Sequence, residues 1–266
     1  MLEITDNSVL FAFALTLFAG LATGIGSLMA LLSKKFSPKF LCCALGLSAG
    51  VMVYISLVEL LATSKDSLVE VYGAKKGEWI SSAAFFAGIA IIAIIDKLVP
   101  SYENPHEIHK ETEKRSDKKL MRMGLLSAIA IGIHNFPEGI ASFVSALQNP
   151  TLGLSIAFAI AIHNIPEGIA VSVPIYYATK SRRKAFIYSF LSGLAEPLGA
   201  LIGYILLRNF LSESLLGIVF AIVAGIMVYI SFDELLPTAE EYGEHHIAIS
   251  GLIAGMAIMA VSLMLF

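Results

Sequence analysis

Eight apolar runs, each long enough to cross a lipid bilayer, dominate the chain at about 8–33, 39–63, 79–100, 121–147, 151–178, 185–207, 214–237 and 247–266. A helix rises 1.5 Å per residue and needs about 20 apolar residues to span the hydrocarbon, so runs of this length leave few folds open. A β-barrel would instead alternate polar and apolar residues over short segments, and no such segments are visible. With 57% hydrophobic and 15% charged residues, a soluble globular domain is excluded as well. The pattern predicts an all-α polytopic membrane protein with eight transmembrane helices, residues 1–266 forming a single transmembrane domain. Glu3 and Asp6, rather than lysines, precede the first run, which is too long for a signal sequence and is expected to be retained.

Basic residues give the expected orientation. Connections at 34–39, 97–122, 180–184 and 238–246 fall on one side and carry 3, 7, 4 and 0 of them, 14 in all. The opposite side has 3 near 65–76 and Arg208, which completes the 18 Lys and Arg of the chain. Positive charge stays in the cytosol, so both termini are expected outside it. Cys42 and Cys43 are adjacent, a poor geometry for a disulfide, and read as small buried residues.

The chain also repeats itself. Ala49–Leu61 (AGVMVYISLVELL) and Ala224–Leu236 (AGIMVYISFDELL) agree at ten of thirteen positions. Gly20-Leu21-Ala22 is echoed by Gly193-Leu194-Ala195, and Ala87-Gly88 by Ala254-Gly255. Spans 1, 2 and 3 thus match spans 6, 7 and 8. The offset is odd, so partners cross the membrane in opposite directions. Inverted repeats (spans 1–3 and 6–8) around a central helix pair (spans 4–5) are expected, an architecture typical of secondary transporters.

The central pair carries the most costly residues. His134-Asn135-Phe136-Pro137-Glu138-Gly139 returns as His163-Asn164-Ile165-Pro166-Glu167-Gly168. A charged group at mid-helix costs roughly 2.5–3.5 kcal/mol on insertion scales, and here the whole set is placed twice. Residues three or four apart share a helix face, so His134, Asn135 and Glu138 line one stripe, as do His163, Asn164 and Glu167. Pro137 and Pro166 free the carbonyls of Ile133 and Ile162. A tight turn at Gln148-Asn149-Pro150 joins the spans, and at 1.5 Å per residue each His lies about 20 Å from it. The two copies are expected face to face at mid-depth.

Imidazole with carboxylate suits borderline divalent metals such as Zn²⁺, Fe²⁺, Ni²⁺ or Mn²⁺. A buried His–Glu pair tying two helices, or a proton relay, are the competing readings. Glu196-Pro197, midway along span 6, is expected to serve as a metal ligand or gate, or to pair with a neighbouring helix. Glu59 and Glu234 hold equivalent repeat positions near expected helix ends and read as entry and exit carboxylates or as interfacial acids. Met52 and Met227 read mainly as apolar filler. The polar stretch 101–120 is expected to be a cytosolic loop between spans 3 and 4, with His106 and His109 either solvated or metal-binding. Glu240, Glu241, Glu244, His245 and His246 form a second polar cluster on that side.

At these residues the chain resembles the ZIP (zinc- and iron-regulated transporter-like) family, in its bacterial and archaeal zinc-transporter branch. HNFPEG, HNIPEG, the GLAEPLGALIGY stretch of span 6 and the DELLP stretch of span 7 carry the resemblance, which runs over essentially all eight spans. It implies a binuclear metal centre between spans 4 and 5. One site would use His134, Glu138, His163 and Glu167. The other would use Asn135, Asn164 and Glu196, with Glu138 and Glu167 bridging. The family's histidine-rich loop is represented here only by His106 and His109. Also implied are a homodimer in the cell (inner) membrane, and uptake into the cytosol of Zn²⁺, with Fe²⁺, Mn²⁺, Co²⁺ and Cd²⁺ as further cargo. Spans 1, 4, 5 and 6 would slide against 2, 3, 7 and 8.

Transport is therefore the expected function, without a prosthetic group and without a nucleic-acid partner. No Walker-type phosphate loop is present, so a gradient rather than ATP would drive it. An intramembrane metal-dependent hydrolase is the alternative from another class, although the chain lacks an HExxH pattern. A metal-selective channel is the other.

Overall fold

A computed structural model describes residues 6–32, 37–98, 117–207 and 212–265. The side chains of residues 98, 117–120, 122–123, 126–127, 130, 134, 207, 242 and 265 lie outside the described set. The described residues are helical almost throughout and contain no strand. They form α1 (Asp6–Leu32), α2 (Pro38–Tyr72), α3 (Ala74–Leu98), α4 (Asp117–Gln148), α5 (Pro150–Thr179), α6, α7 and α8 (His245–Leu265). Helix α6 comes in two pieces, α6a (Arg182–Gly193) and α6b (Ala195–Leu207). Helix α7 runs from Glu213–Ile230 through Ser231–Leu235 into Leu236–Tyr242. Seven of these, all except α4, are by length and composition able to cross a membrane. The protein is a polytopic helical membrane protein.

Helix boundaries follow from local chemistry. Ser37, Asn149, Ser181 and Ser212 cap the helices that follow them, and Pro38 and Pro150 sit in the first turn, where a missing N–H costs nothing. Asn149 Oδ1 accepts from the amides of Thr151 and Leu152 at 3.0 and 3.2 Å, which fixes the tight α4–α5 turn. Gly73 (φ 80°) ends α2 and Lys180 (φ 53°) ends α5. Helix α6 breaks at Leu194 because Pro197 has no N–H to offer the Gly193 carbonyl. Helices α4 and α5, by contrast, continue through Pro137, Pro166 and Pro174.

One connection differs from expectation. Residues 64–78 were expected to link spans 2 and 3 at the surface, yet α2 continues to Tyr72 and α3 starts at Ala74. The extension is amphipathic. Ser64 and Leu68 are buried, Ser64 Oγ bonds Ser81 Oγ of α3 at 2.8 Å, and Leu68 packs at Gly217 of α7. Glu59 and Glu234 consequently lie inside long helices rather than near their ends. Of the expected loop 101–120, residues 101–116, with His106 and His109, lie outside the described residues, and α4 begins at Asp117.

The two thirteen-residue segments of like sequence also share a backbone irregularity. Ile55–Leu60 and Ser231–Leu235 are both π-helical turns inside otherwise α-helical rods. The serine at each turn donates to the carbonyl four residues back: Ser56 to Met52 at 2.6 Å, and Ser231 to Met227 at 2.7 Å. Each hydroxyl takes a carbonyl that a backbone amide would otherwise hold, and a wider i→i+5 turn results. Met52 and Met227 themselves fill the core.

Packing divides the helices into two sets of four. Helices α1, α4, α5 and α6 pack on one another, as do α2, α3, α7 and α8. The sets meet where α5 touches α2 and α8, and where α4 touches α7. Glycines set the closest crossings. A Cβ at Gly50 would strike the Leu252 carbonyl and one at Gly255 the Leu47 carbonyl, locking α2 to α8. Gly225 against Phe85 and Gly88 against Ile222 lock α7 to α3 in the same way. Helix α5 is the central rod, far more deeply buried along its length than α3. Cys42 and Cys43 are free thiols, and Cys42 is buried, its Sγ 3.7 Å from the Glu244 carbonyl.

Candidate metal centre

The α4–α5 turn makes the two motif-bearing helices antiparallel neighbours. Each is also pulled close to a second helix by the glycine that ends its motif. A Cβ at Gly139 would meet the Glu196 carbonyl of α6b, and one at Gly168 the Thr23 carbonyl of α1. Asn135, Glu138, His163, Asn164, Glu167 and Glu196 are all at most 1% exposed. The backbone of His134 belongs to α4, while its side chain lies outside the described set.

Several of the expected residues meet. His163 Nε2 of α5 lies 3.0 Å from Glu138 Oε1 of α4, a contact between the two copies of the motif. Asn164 Nδ2 donates to the Ala19 carbonyl of α1 at 3.0 Å and to Glu196 Oε1. Asn135 Nδ2 donates to the Ser192 carbonyl of α6a at 3.2 Å. Glu138 and Glu167 stand near enough to Glu196 to act on it electrostatically. Glu167 Oε1 accepts from Ser48 Oγ of α2 at 3.3 Å, a polar contact by which the other helix set reaches the motif. Ser48, Ala19 and Ser192 escape sequence reasoning, since a serine or a backbone carbonyl inside an apolar run carries no distinctive signal. Among the described side chains, no three of the His, Cys, Asp or Glu type already converge on one point.

The amide orientations decide what the cage offers. A carbonyl oxygen can only accept, so each Asn must turn its Nδ2 toward it and aim Oδ1 the other way. Among the described residues, Asn135 Oδ1, Asn164 Oδ1, Glu138 Oε2 and Glu196 Oε2 are buried without a hydrogen-bond partner. All four are acceptors. Unsatisfied buried polar atoms each cost about 1–3 kcal/mol, and a cation is one partner that could satisfy such lone pairs. Imidazole nitrogen with carboxylate and amide oxygen makes a donor set for a borderline divalent ion.

Glu59 is half-buried and accepts from Thr63 at 3.3 Å, and Glu234 is buried in the other π-turn. At the surface His245 Nδ1 lies 2.5 Å from Glu240 Oε1, and Lys39 Nζ lies 2.9 Å from Glu244 Oε1.

Fold and site together define a polytopic helical membrane protein with an acceptor-lined cage buried between its central helices. The family profile described as ZIP Zinc transporter matches residues 97–263. The chain is 67% identical to the zinc transporter ZupT of Chlorobium chlorochromatii (strain CaD3), over 99% of this chain and 100% of that one. It is 60% identical to the ZupT of Clostridium perfringens (strain 13 / Type A), over 98% and 97%. The chain belongs to the ZIP zinc transporter family, whose members are transport proteins rather than enzymes.

Proposed function

We propose that the protein takes up divalent metal cations, zinc foremost, into the cytosol through a binuclear cage of His134, Asn135, Glu138, His163, Asn164, Glu167 and Glu196. The observation that carries this reading is the set of four buried acceptors without donors. Bound cations give these acceptors partners, whereas a structural His–Glu pair would leave the amide and spare carboxylate oxygens unexplained. Relatives named zinc transporters point to the cargo. The oxygen donors extend the expected range to Fe²⁺, Mn²⁺, Co²⁺ and Cd²⁺.

Eight spans follow if α4 crosses the membrane with the other seven helices, and both termini then lie outside the cytosol. An inverted repeat is supported by contacts that exchange in register. The shift that relates Ala49–Leu61 to Ala224–Leu236 carries Gly50 onto Gly225 and Leu47 onto Ile222. The shift that relates Gly88 to Gly255 carries Phe85 onto Leu252. The α2–α8 crossing thereby becomes the α7–α3 crossing, contact for contact. The central helices obey the same rule. Asn135 donates to Ser192 and Asn164 to Ala19, and Ser192 and Ala19 are equivalent under the Gly20–Gly193 match.

Two four-helix sets in limited contact suit alternating access, with α1, α4, α5 and α6 moving the cage past α2, α3, α7 and α8. We place the protein in the cell membrane as a homodimer, following the family. Uptake by reconstituted proteoliposomes over a panel of divalent metals, at two internal pH values, tests the reading. Saturable zinc flux is expected of a carrier. Flux linear in concentration and voltage would indicate a channel, and absence of divalent flux would overturn the proposal.

A further inference from the structure

The same exchange of helices exposes one asymmetry in the cage. Four close contacts obey it. Gly139 meets the Glu196 carbonyl as Gly168 meets the Thr23 carbonyl, and Gly199 meets Phe136 as Gly26 meets Ile165. The position on α1 that corresponds to Glu196 on α6 is therefore Thr23. Glu196 supplies a carboxylate to the cage; Thr23 supplies a hydroxyl.

Thr23 is fully buried, and its Oγ1 has no hydrogen-bond partner among the described residues. The side chain is not turned to lipid. A Cβ built on Gly193 would lie 2.7 Å from Thr23 Cβ and 2.9 Å from Oγ1, so the hydroxyl abuts α6a at that residue. The next residue back is Ser192, whose carbonyl holds the Asn135 amide. Thr23, with its orphaned hydroxyl, and Asn135, with its orphaned Oδ1, thus both meet α6a at successive residues, Gly193 and Ser192. The counterpart contact is made directly, because Glu196 Oε1 accepts from Asn164. Threonine is two bonds shorter than glutamate, a shortfall of about one water molecule. A buried water with two or more polar partners is an ordinary way to close such a gap.

We infer that Thr23 is a further cargo-positioning residue: its hydroxyl holds, against Asn135 Oδ1, a water that the bound divalent cation retains as a ligand. The inference rests on the cage reading given above. One side of the cage then binds the ion through a carboxylate and the other through a held water, which gives the ion a ligand it can shed at release.

The test is zinc uptake and equilibrium zinc binding by the full-length protein, with Thr23→Val, Thr23→Ser and Ser27→Ala. Valine keeps the shape of threonine and removes the hydroxyl. Thr23→Val is expected to raise the half-saturating zinc concentration about two- to tenfold, the worth of one hydrogen bond. Thr23→Ser should restore wild-type affinity. Ser27, another orphaned buried hydroxyl of α1, controls for burial alone, and Ser27→Ala should leave the affinity unchanged. Wild-type affinity in a folded Thr23→Val protein would overturn the inference while leaving the cage reading intact. So would an equal loss in Thr23→Ser. If Thr23→Val does not fold, Thr23→Ala compared with Thr23→Ser carries the same comparison. Absence of zinc binding by the wild type would instead overturn the cage reading.

Discussion

Glu138 Oε1 and His163 Nε2 lie 3.0 Å apart although they come from different helices and from different copies of one sequence motif. The contact joins α4 to α5 at a point where neither side chain sees solvent. Glu167 and Glu196 are buried as well, and both Glu138 and Glu167 act electrostatically on Glu196, so three buried carboxylates stand beside one described imidazole without converging on a single point. Without a cation that balance is unfavourable, because burying an uncompensated charge costs several kcal/mol. On the proposed reading, a bound cation supplies the missing compensation.

A trade between stability and binding follows. Glu196→Gln removes one of the three acids while keeping an acceptor for Asn164. It is expected to raise the melting temperature of the metal-free protein by a few degrees and to weaken zinc binding about 10- to 100-fold. Differential scanning fluorimetry in detergent with and without zinc reads both effects. A variant less stable than wild type when metal-free would contradict the argument.

Asn164 tests the role of orientation. Its amide holds both the Ala19 carbonyl and Glu196, so Asn164→Leu, similar in size, strands a carbonyl and a carboxylate in the core. Zinc affinity should fall at least about tenfold, as measured by equilibrium binding. An unchanged affinity would show that the amide oxygen is no ligand and that Glu196 needs no support.

The glycines after each motif make a steric prediction. Backbone opposes both, Glu196 at Gly139 and Thr23 at Gly168, and backbone cannot rotate away as a flexible side chain can. Gly139→Ala and Gly168→Ala should each cost about 1–3 kcal/mol and impair uptake, although neither adds charge nor removes a ligand. Gly73→Ala offers a contrast of a different kind: open space surrounds it, but φ is 80°, so its cost is backbone strain at the end of α2, not loss of uptake.

Much of this was legible in the chain itself. Run length gave the helical rods, and HNFPEG with HNIPEG pointed to the contact that His163 makes with Glu138. The ten-of-thirteen match marked the two segments as related but gave no sign that each would carry a π-helical turn. That form depends on a serine hydroxyl competing for a carbonyl, which residue types alone do not announce. The extension of α2 to Tyr72 was missed because charged residues at 65, 66 and 70 look like a surface loop. They are instead the wet face of an amphipathic helix whose Leu68 is buried. Partners that are backbone carbonyls, such as Ala19 and Ser192, leave no trace in a sequence.

At the surface, Lys39 ties the start of α2 to the turn before α8 through Glu244. The hydrogen bond from Lys39 and its positive charge hold the Glu244 carboxyl below the usual glutamate range. A depressed carboxyl contributes stability above its unfolded value and loses it as pH falls through the folded one. Lys39→Ala should therefore move the Glu244 titration, followed by NMR, back up to the ordinary range. Thermal stability at neutral pH should barely change, since exposed pairs contribute little. A large loss of stability would mean that the tether does more than its exposure allows.

Zinc uptake by proteoliposomes bearing Glu138→Ala or Glu167→Ala, beside the wild type, tests the central claim most directly. Each variant should remain folded by size-exclusion chromatography yet lose uptake by at least about 100-fold, because each removes a carboxylate proposed to bridge the metal ions. Uptake at the wild-type rate by either folded variant would contradict the account.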